Sequence, residues 1–171
     1  MTRKKGLFKY ILPVVMAVMV FACSNDPVVE EIDYSPQREA GIIDEYIDFL
    51  VEEGYDVDTT ALGVFYVILE EGEGEFVQEG NSIGIKYVGF FPESGAVFDQ
   101  SAYWYDNGIW KFTYPSSGVI SGFNDAIGLL NPGARGLFLI PSILAYGTTG
   151  YGSVPPYSPL AFQIELSEIY E

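Results

Sequence analysis

The chain has no histidine and a single cysteine, Cys23. No mechanism that needs an imidazole is open to it, so neither a Ser-His-Asp triad nor a Cys-His nucleophile pair can be assembled. Zinc sites built on histidine are excluded with them. One thiol can form neither an internal disulfide nor a thiolate metal cage. Carboxylates are abundant but poorly spaced for chemistry. Glu70, Glu71, Glu73 and Glu75 crowd a glycine-rich stretch, yet they lack the backbone-carbonyl and terminal-Glu spacing of a calcium loop and read as a solvated turn. Asp56 and Asp58 lack the rest of such a loop. Asp99, Asp106 and Asp125 show no spacing that supports a glycosidase pair. Gly147, Gly150 and Gly152 form no dinucleotide fingerprint, because Pro155-Pro156 follows where a helix would have to begin. No metal and no cofactor is expected.

Charge is placed unevenly along the 171 residues, which carry 8 Lys+Arg and 24 Asp+Glu. Arg3, Lys4, Lys5 and Lys9 hold half of the positive charge, and every acid lies at Asp26 or beyond. Such a body repels phosphates and anionic headgroups, so nucleic acid is not an expected partner. The basic start is followed by an apolar run at residues 10–22. That run falls short of the ~20 residues a membrane-spanning helix needs. It has the three-part layout of a secretory signal. Cys23 follows the small residue Ala22, with Val20 three positions before it. This resembles the bacterial lipobox, in which the thiol receives a diacylglyceryl group and the chain is cut at that Cys. An ordinary signal peptide with a chance Cys is the alternative. Ser24, rather than Asp, follows Cys23. By resemblance to enterobacterial sorting rules, the expectation is a lipid-anchored protein of the bacterial cell envelope, on the periplasmic or surface face of the outer membrane.

Four segments are expected: a signal at 1–22, an acidic tether at 23–35, a helical extension at 36–60 and a folded domain at 61–171. Ser35-Pro36 reads as a helix cap and first turn. Ile42, Ile43, Tyr46, Ile47 and Leu50 recur at helical spacing, and Gly54 ends the pattern. The acidic face of this helix, from Glu39 to Glu53, is expected to be solvated. The helix either binds a partner or packs on its own domain, and in neither case is it expected to be needed for activity. Strand runs follow at 62–70, 83–91, 96–98, 109–114, 136–141 and 160–170, separated by Gly and Pro clusters. In the last, Phe162, Ile164 and Leu166 alternate with polar residues, giving one buried and one wet face. A short helix is expected at 121–130, with Phe123, Ile127 and Leu130 on one side. The class is α+β, a twisted antiparallel β-sheet wrapped around one short helix, with an N-terminal helical extension.

Dispersed strings in order carry a more specific signal. They run Gly80-Asn81-Ser82, Ile85-Lys86-Tyr87-Val88-Gly89, Val97-Phe98-Asp99-x-Ser101 and Trp110-Lys111-Phe112. Gly118-Val119-Ile120-Ser121-Gly122-Phe123, Ala145-Tyr146-Gly147, Val154-Pro155-Pro156 and Leu160-x-Phe162 complete them. Residues 64–170 resemble the FKBP-type peptidyl-prolyl cis-trans isomerases. The resemblance implies a proline pocket walled by Tyr87, Phe98, Trp110, Val119, Ile120, Phe123 and Phe162. Asp99 and Tyr146 would stand at its rim, Tyr151 would hold a flap position, and Tyr151 and Val154 would both bind substrate. Phe98, Asp99, Tyr146 and Phe162 would carry turnover, and the backbone at Gly118 and Ile120 would hold the ligand main chain. Proline-containing polypeptides and macrolide immunosuppressant-type inhibitors are the implied ligands. The implied function is folding of exported proteins, with a proline-segment-binding chaperone of little turnover as the alternative. One departure stands out. The segment 100–109 after Asp99 lacks the basic residue that the family often pairs with that carboxylate, and Tyr103, Trp104 and Tyr105 there are expected to extend the apolar wall.

Overall fold

The computed structural model describes residues 33–170. The expected signal, Cys23 and nearly all of the tether lie outside the described residues.

Helix α1 spans Pro36–Glu52. Ser35 caps it, its Oγ accepting from the Arg38 N–H at 3.2 Å, and Pro36 occupies the first turn, where a missing N–H costs nothing. Gly54 takes φ +89° just past the last helical residue, a conformation that glycine adopts without steric penalty. Ile42 and Leu50 are buried, so the helix packs on its own domain.

Seven strands form one antiparallel sheet: β1 Asp58–Thr59, β2 Phe65–Glu70, β3 Ser82–Phe90, β4 Val97–Gln100, β5 Trp110–Thr113, β6 Arg135–Ile140 and β7 Leu160–Tyr170. Their order is β1-β2-β6-β7-β3-β4, with β5 also paired to β3. The long β3–β7 ladder sets Gly89 opposite Phe162 and Tyr87 opposite Ile164. β1 is a two-residue addition that no apolar alternation announces, since both of its residues are exposed. The strand expected from residue 62 starts at Phe65, because residues 60–64 close a turn in which Gly63 takes φ +100°.

The short helix α2, Ser121–Ile127, lies against one face of the sheet. Phe123, Ala126 and Ile127 pack with Ile83, Ile85, Phe138, Ile140, Ile164 and Leu166. On β7 the alternation is as expected, with Phe162, Ile164 and Leu166 buried and Gln163 and Glu165 on the other face. Among the described residues no helix is long and apolar enough to cross a membrane.

Candidate functional site

A cavity of about 180 Å³ opens where the end of β3, β4, β5, the start of β7 and the N-terminus of α2 converge. Its lining is Tyr87, Phe98, Asp99, Trp110, Gly118, Val119, Ile120, Phe123, Tyr146 and Phe162. Nine of these are positions that the family resemblance singled out for side-chain contact, and Gly118 was expected to contribute backbone alone. Tyr151 and Val154 do not line it. Val154 is buried in the core, and Tyr151 reaches the cavity only by stacking on Tyr146, with ring centroids 5.3 Å apart.

The aromatic lining is locked edge to face, the arrangement that ring quadrupoles favour. Phe162 meets Phe98 at 5.5 Å and 90°, and Phe123 at 5.1 Å and 73°. Tyr87 meets Phe123 at 5.6 Å and 82°. Gly89 makes this packing possible. A Cβ there would lie 2.7 Å from both Phe98 and Phe162, so any side chain would displace the two rings from the cavity wall. Period-two alternation on β3 sends Lys86 and Val88 to the opposite face. There they line a second cavity of about 320 Å³ with Arg135, Gln163 and Glu165.

One carboxylate faces this apolar site. Tyr87 donates its hydroxyl to Asp99 Oδ2 at 2.8 Å, and Trp104 donates its indole N–H to Oδ1 at 2.7 Å. Two neutral donors therefore orient Asp99, and the indole stands where a cation was missing from the sequence. In the sequence Trp104 reads only as part of an apolar wall; as a side-chain N–H donor in that segment it stands beside Gln100 and Asn107. Backbone bonds set its position, because Trp104 and Tyr105 both donate their N–H to the Ser101 carbonyl at 3.1 Å. Ser101 is buried and its Oγ accepts from the Tyr87 N–H at 3.1 Å, tying this turn back to β3. Burial pushes the Tyr87 phenol far up from its ordinary value, and its bond to Asp99 and that charge add to the rise. Tyr146 is raised as well, first by burial and then by the Asp99 charge.

Two further donors belong to the site. The Tyr146 hydroxyl and the Ile120 N–H have no hydrogen-bond partner among the described residues. The loop carrying Tyr146 is braced from a distance. Glu39 of α1 accepts from the Ser142 N–H at 2.6 Å and from Ser142 Oγ at 2.7 Å. The Ser142 carbonyl in turn accepts from the N–H groups of Ala145 and Gly147, the residues flanking Tyr146. This corrects the expectation that the acidic face of α1 is simply solvated. Glu39 leaves that face because it bonds a segment 103 positions away.

The fold is an antiparallel sheet closed on a short helix, and its cavity combines aromatic walls, one oriented carboxylate and two donors unengaged among the described residues. The chain belongs to the FKBP-type peptidyl-prolyl cis-trans isomerase family, whose family profile matches residues 73–167. It is 34% identical over 114 residues to an FKBP-type 22 kDa peptidyl-prolyl cis-trans isomerase of Escherichia coli, which covers 66% of this chain and 53% of that protein. It is 31% identical over 121 residues to the isomerase FkpA of the same species, covering 71% of this chain and 42% of that one. The crystal structure of FkpA from Escherichia coli superposes with a TM-score of 0.66 at 29% identity, over 78% of this chain and 59% of that one. A peptidyl-prolyl cis-trans isomerase from Pseudomonas syringae superposes at 0.62 with 28% identity, over 82% of this chain and the whole of that one. The chain thus spans about half the length of the curated relatives it matches.

Proposed function

We propose that this chain is a peptidyl-prolyl cis-trans isomerase acting on X-Pro bonds of exported proteins at the bacterial cell envelope. The observation that carries the catalytic part is the aromatic cavity with Asp99 held at its rim by Tyr87 and Trp104. Rotation about an X-Pro bond faces a barrier of ~18–20 kcal/mol, because amide resonance must be broken. It takes tens to hundreds of seconds without help. Neither a covalent step nor a proton transfer is needed. Edge-to-face rings strip water from the amide and favour its twisted, less polar form over the planar one. Tyr146 Oη and the Ile120 N–H are the donors for the substrate carbonyls. Asp99 shapes the field at the rim.

The envelope location rests on the basic start, the short apolar run and Cys23, which together support a lipid anchor. Macrolide immunosuppressant-type inhibitors, which fill a cavity of this kind, should compete with proline peptides. The exposed aromatics Trp104, bonded to Asp99, and Tyr151, stacked on Tyr146, also suit a second reading, a module that holds proline segments with little turnover. A protease-free measurement of cis–trans exchange on X-Pro peptides separates the two. Acceleration that a macrolide abolishes supports the isomerase. Peptide binding without acceleration supports the holdase, and the absence of both removes the proline-pocket assignment.

A further inference from the structure

Four cations lie among the described residues, and each is engaged elsewhere. Arg38 pairs with Glu93 at 2.5 Å, Lys86 with Glu165 at 3.0 Å and Arg135 with Glu70. The Lys111 ammonium lies 4.1 Å from the Tyr170 ring centroid. Asp99 makes no salt bridge among the described residues; its partners are a phenol and an indole. Neutral donors orient a carboxylate but cancel none of its formal charge. The mouth of the cavity therefore carries an uncompensated negative charge, in a chain whose formal net charge is −16.

An exposed aromatic lies directly on that charge: Trp104, whose N–H bonds Asp99, is 70% exposed. Tyr151, 72% exposed, stacks on Tyr146 of the cavity lining. Open ring faces attract ammonium and guanidinium groups within about 6 Å. A cavity of about 180 Å³ has room for little more than one proline ring, and Asp99 is part of its lining.

We propose that the site takes proline segments in which Lys or Arg immediately precedes the proline, the cation resting between the Asp99 carboxylate and the exposed aromatic faces. The preference rests on the isomerase reading above, and it names the substrate class of the same pocket. The carboxylate supplies the sign of the selection. The aromatic faces alone would accept an apolar neighbour equally well.

The test uses the full chain and end-blocked peptides acetyl-Ala-Xaa-Pro-Phe-amide, with Xaa as Lys, norleucine or Glu. Norleucine matches the lysine stem without its charge. Exchange rates give kcat/KM, and a parallel titration gives affinity. Lys should exceed norleucine by roughly 2- to 5-fold, and norleucine should exceed Glu by a similar factor, the scale of an exposed ion pair. Both differences should shrink in ~1 M salt, where the screening length is about 3 Å. Trp104→Arg places a cation beside Asp99 and should bring Lys and norleucine to parity. Asp99→Asn should do the same. Comparing peptides within each variant removes any general loss of activity. Equal values for the three peptides in the wild type, or a Lys preference that survives both variants, would overturn the proposal. An affinity order of Lys, norleucine, Glu without turnover would keep it and sink the isomerase reading. Turnover without that order would do the reverse.

Discussion

Tyr146 and Asp99 differ in how cleanly a single atom can be removed. Tyr146→Phe deletes a hydroxyl that bonds nothing else among the described residues, so the fold should tolerate it. If the hydroxyl bonds the substrate carbonyl, its loss should cost ~0.5–1.5 kcal/mol, or roughly 2- to 13-fold in kcat/KM. Asp99→Asn keeps the shape, but both carboxylate oxygens accept bonds, and an amide nitrogen cannot accept from either Tyr87 or Trp104. One donor must lose its partner, so kcat/KM should fall by roughly tenfold, the scale of one charge-assisted hydrogen bond. Exchange kinetics on a single Leu-Pro peptide check both, and wild-type rates in both variants would place the site elsewhere. Phe162→Ala is less informative about chemistry. Phe162 is 5% exposed and touches Phe98 and Phe123, so truncation should cost ~3–5 kcal/mol of stability. Denaturant unfolding reads that cost, and an unchanged midpoint would mean that the wall repacks.

Elements were legible in the sequence wherever their burial was periodic. β7 announced itself through Phe162, Ile164 and Leu166, and α1 through Ile42, Tyr46 and Leu50, because one buried face imposes a repeat of two or of three to four. β1 was not legible, since two exposed residues bury nothing that could set a pattern. The single 3-10 turns at Ser101–Tyr103, Asp106–Gly108 and Ser142–Leu144 are too short to carry one. Most of the candidate site could be placed through the family resemblance. Trp104 could not, because its role comes from a turn that swings an indole back over five residues to Asp99. Glu39 could not either, for its partner Ser142 lies 103 residues away. That contact changes what α1 is expected to do. A chain starting at Asp58 would lose the Glu39 carboxylate that accepts from both the Ser142 N–H and its Oγ. It would also release the residue on which the Tyr146 turn is folded. Truncation should therefore lower the unfolding midpoint and weaken peptide binding per folded molecule. Glu39→Ala should reproduce part of both effects. Unchanged stability and binding in Glu39→Ala would reduce the helix to a spacer.

Across the whole molecule, the tyrosines make stability depend on alkaline pH. Tyr46, Tyr87, Tyr114 and Tyr146 are all raised above the ordinary phenol value of 10.0, with burial the first cause in each. The fold holds these protons more tightly than the unfolded chain does. Their contribution is complete below 10.0 and is lost as pH rises through the raised native values. Urea midpoints should fall above about pH 10, and Tyr87→Phe should make that fall shallower; equal slopes would show that Tyr87 ionises as freely in the fold as outside it. The other whole-molecule expectation concerns where this acidic body resides. A chain with formal net charge −16 gains nothing by approaching anionic headgroups, so charge cannot hold it at a membrane. We propose that covalent lipid supplies the hold, through the lone thiol that stands where the lipobox resemblance places it. A single acyl chain anchors weakly, whereas several hold stably. Intact-mass measurement of the membrane fraction should show loss of residues 1–22 and addition of diacylglyceryl at Cys23. Cys23→Ala should move the protein to the soluble fraction or leave it uncleaved. A wild-type mature protein that is soluble and begins at another residue would remove both the anchor and the outer-membrane assignment, while leaving the proline cavity as it stands.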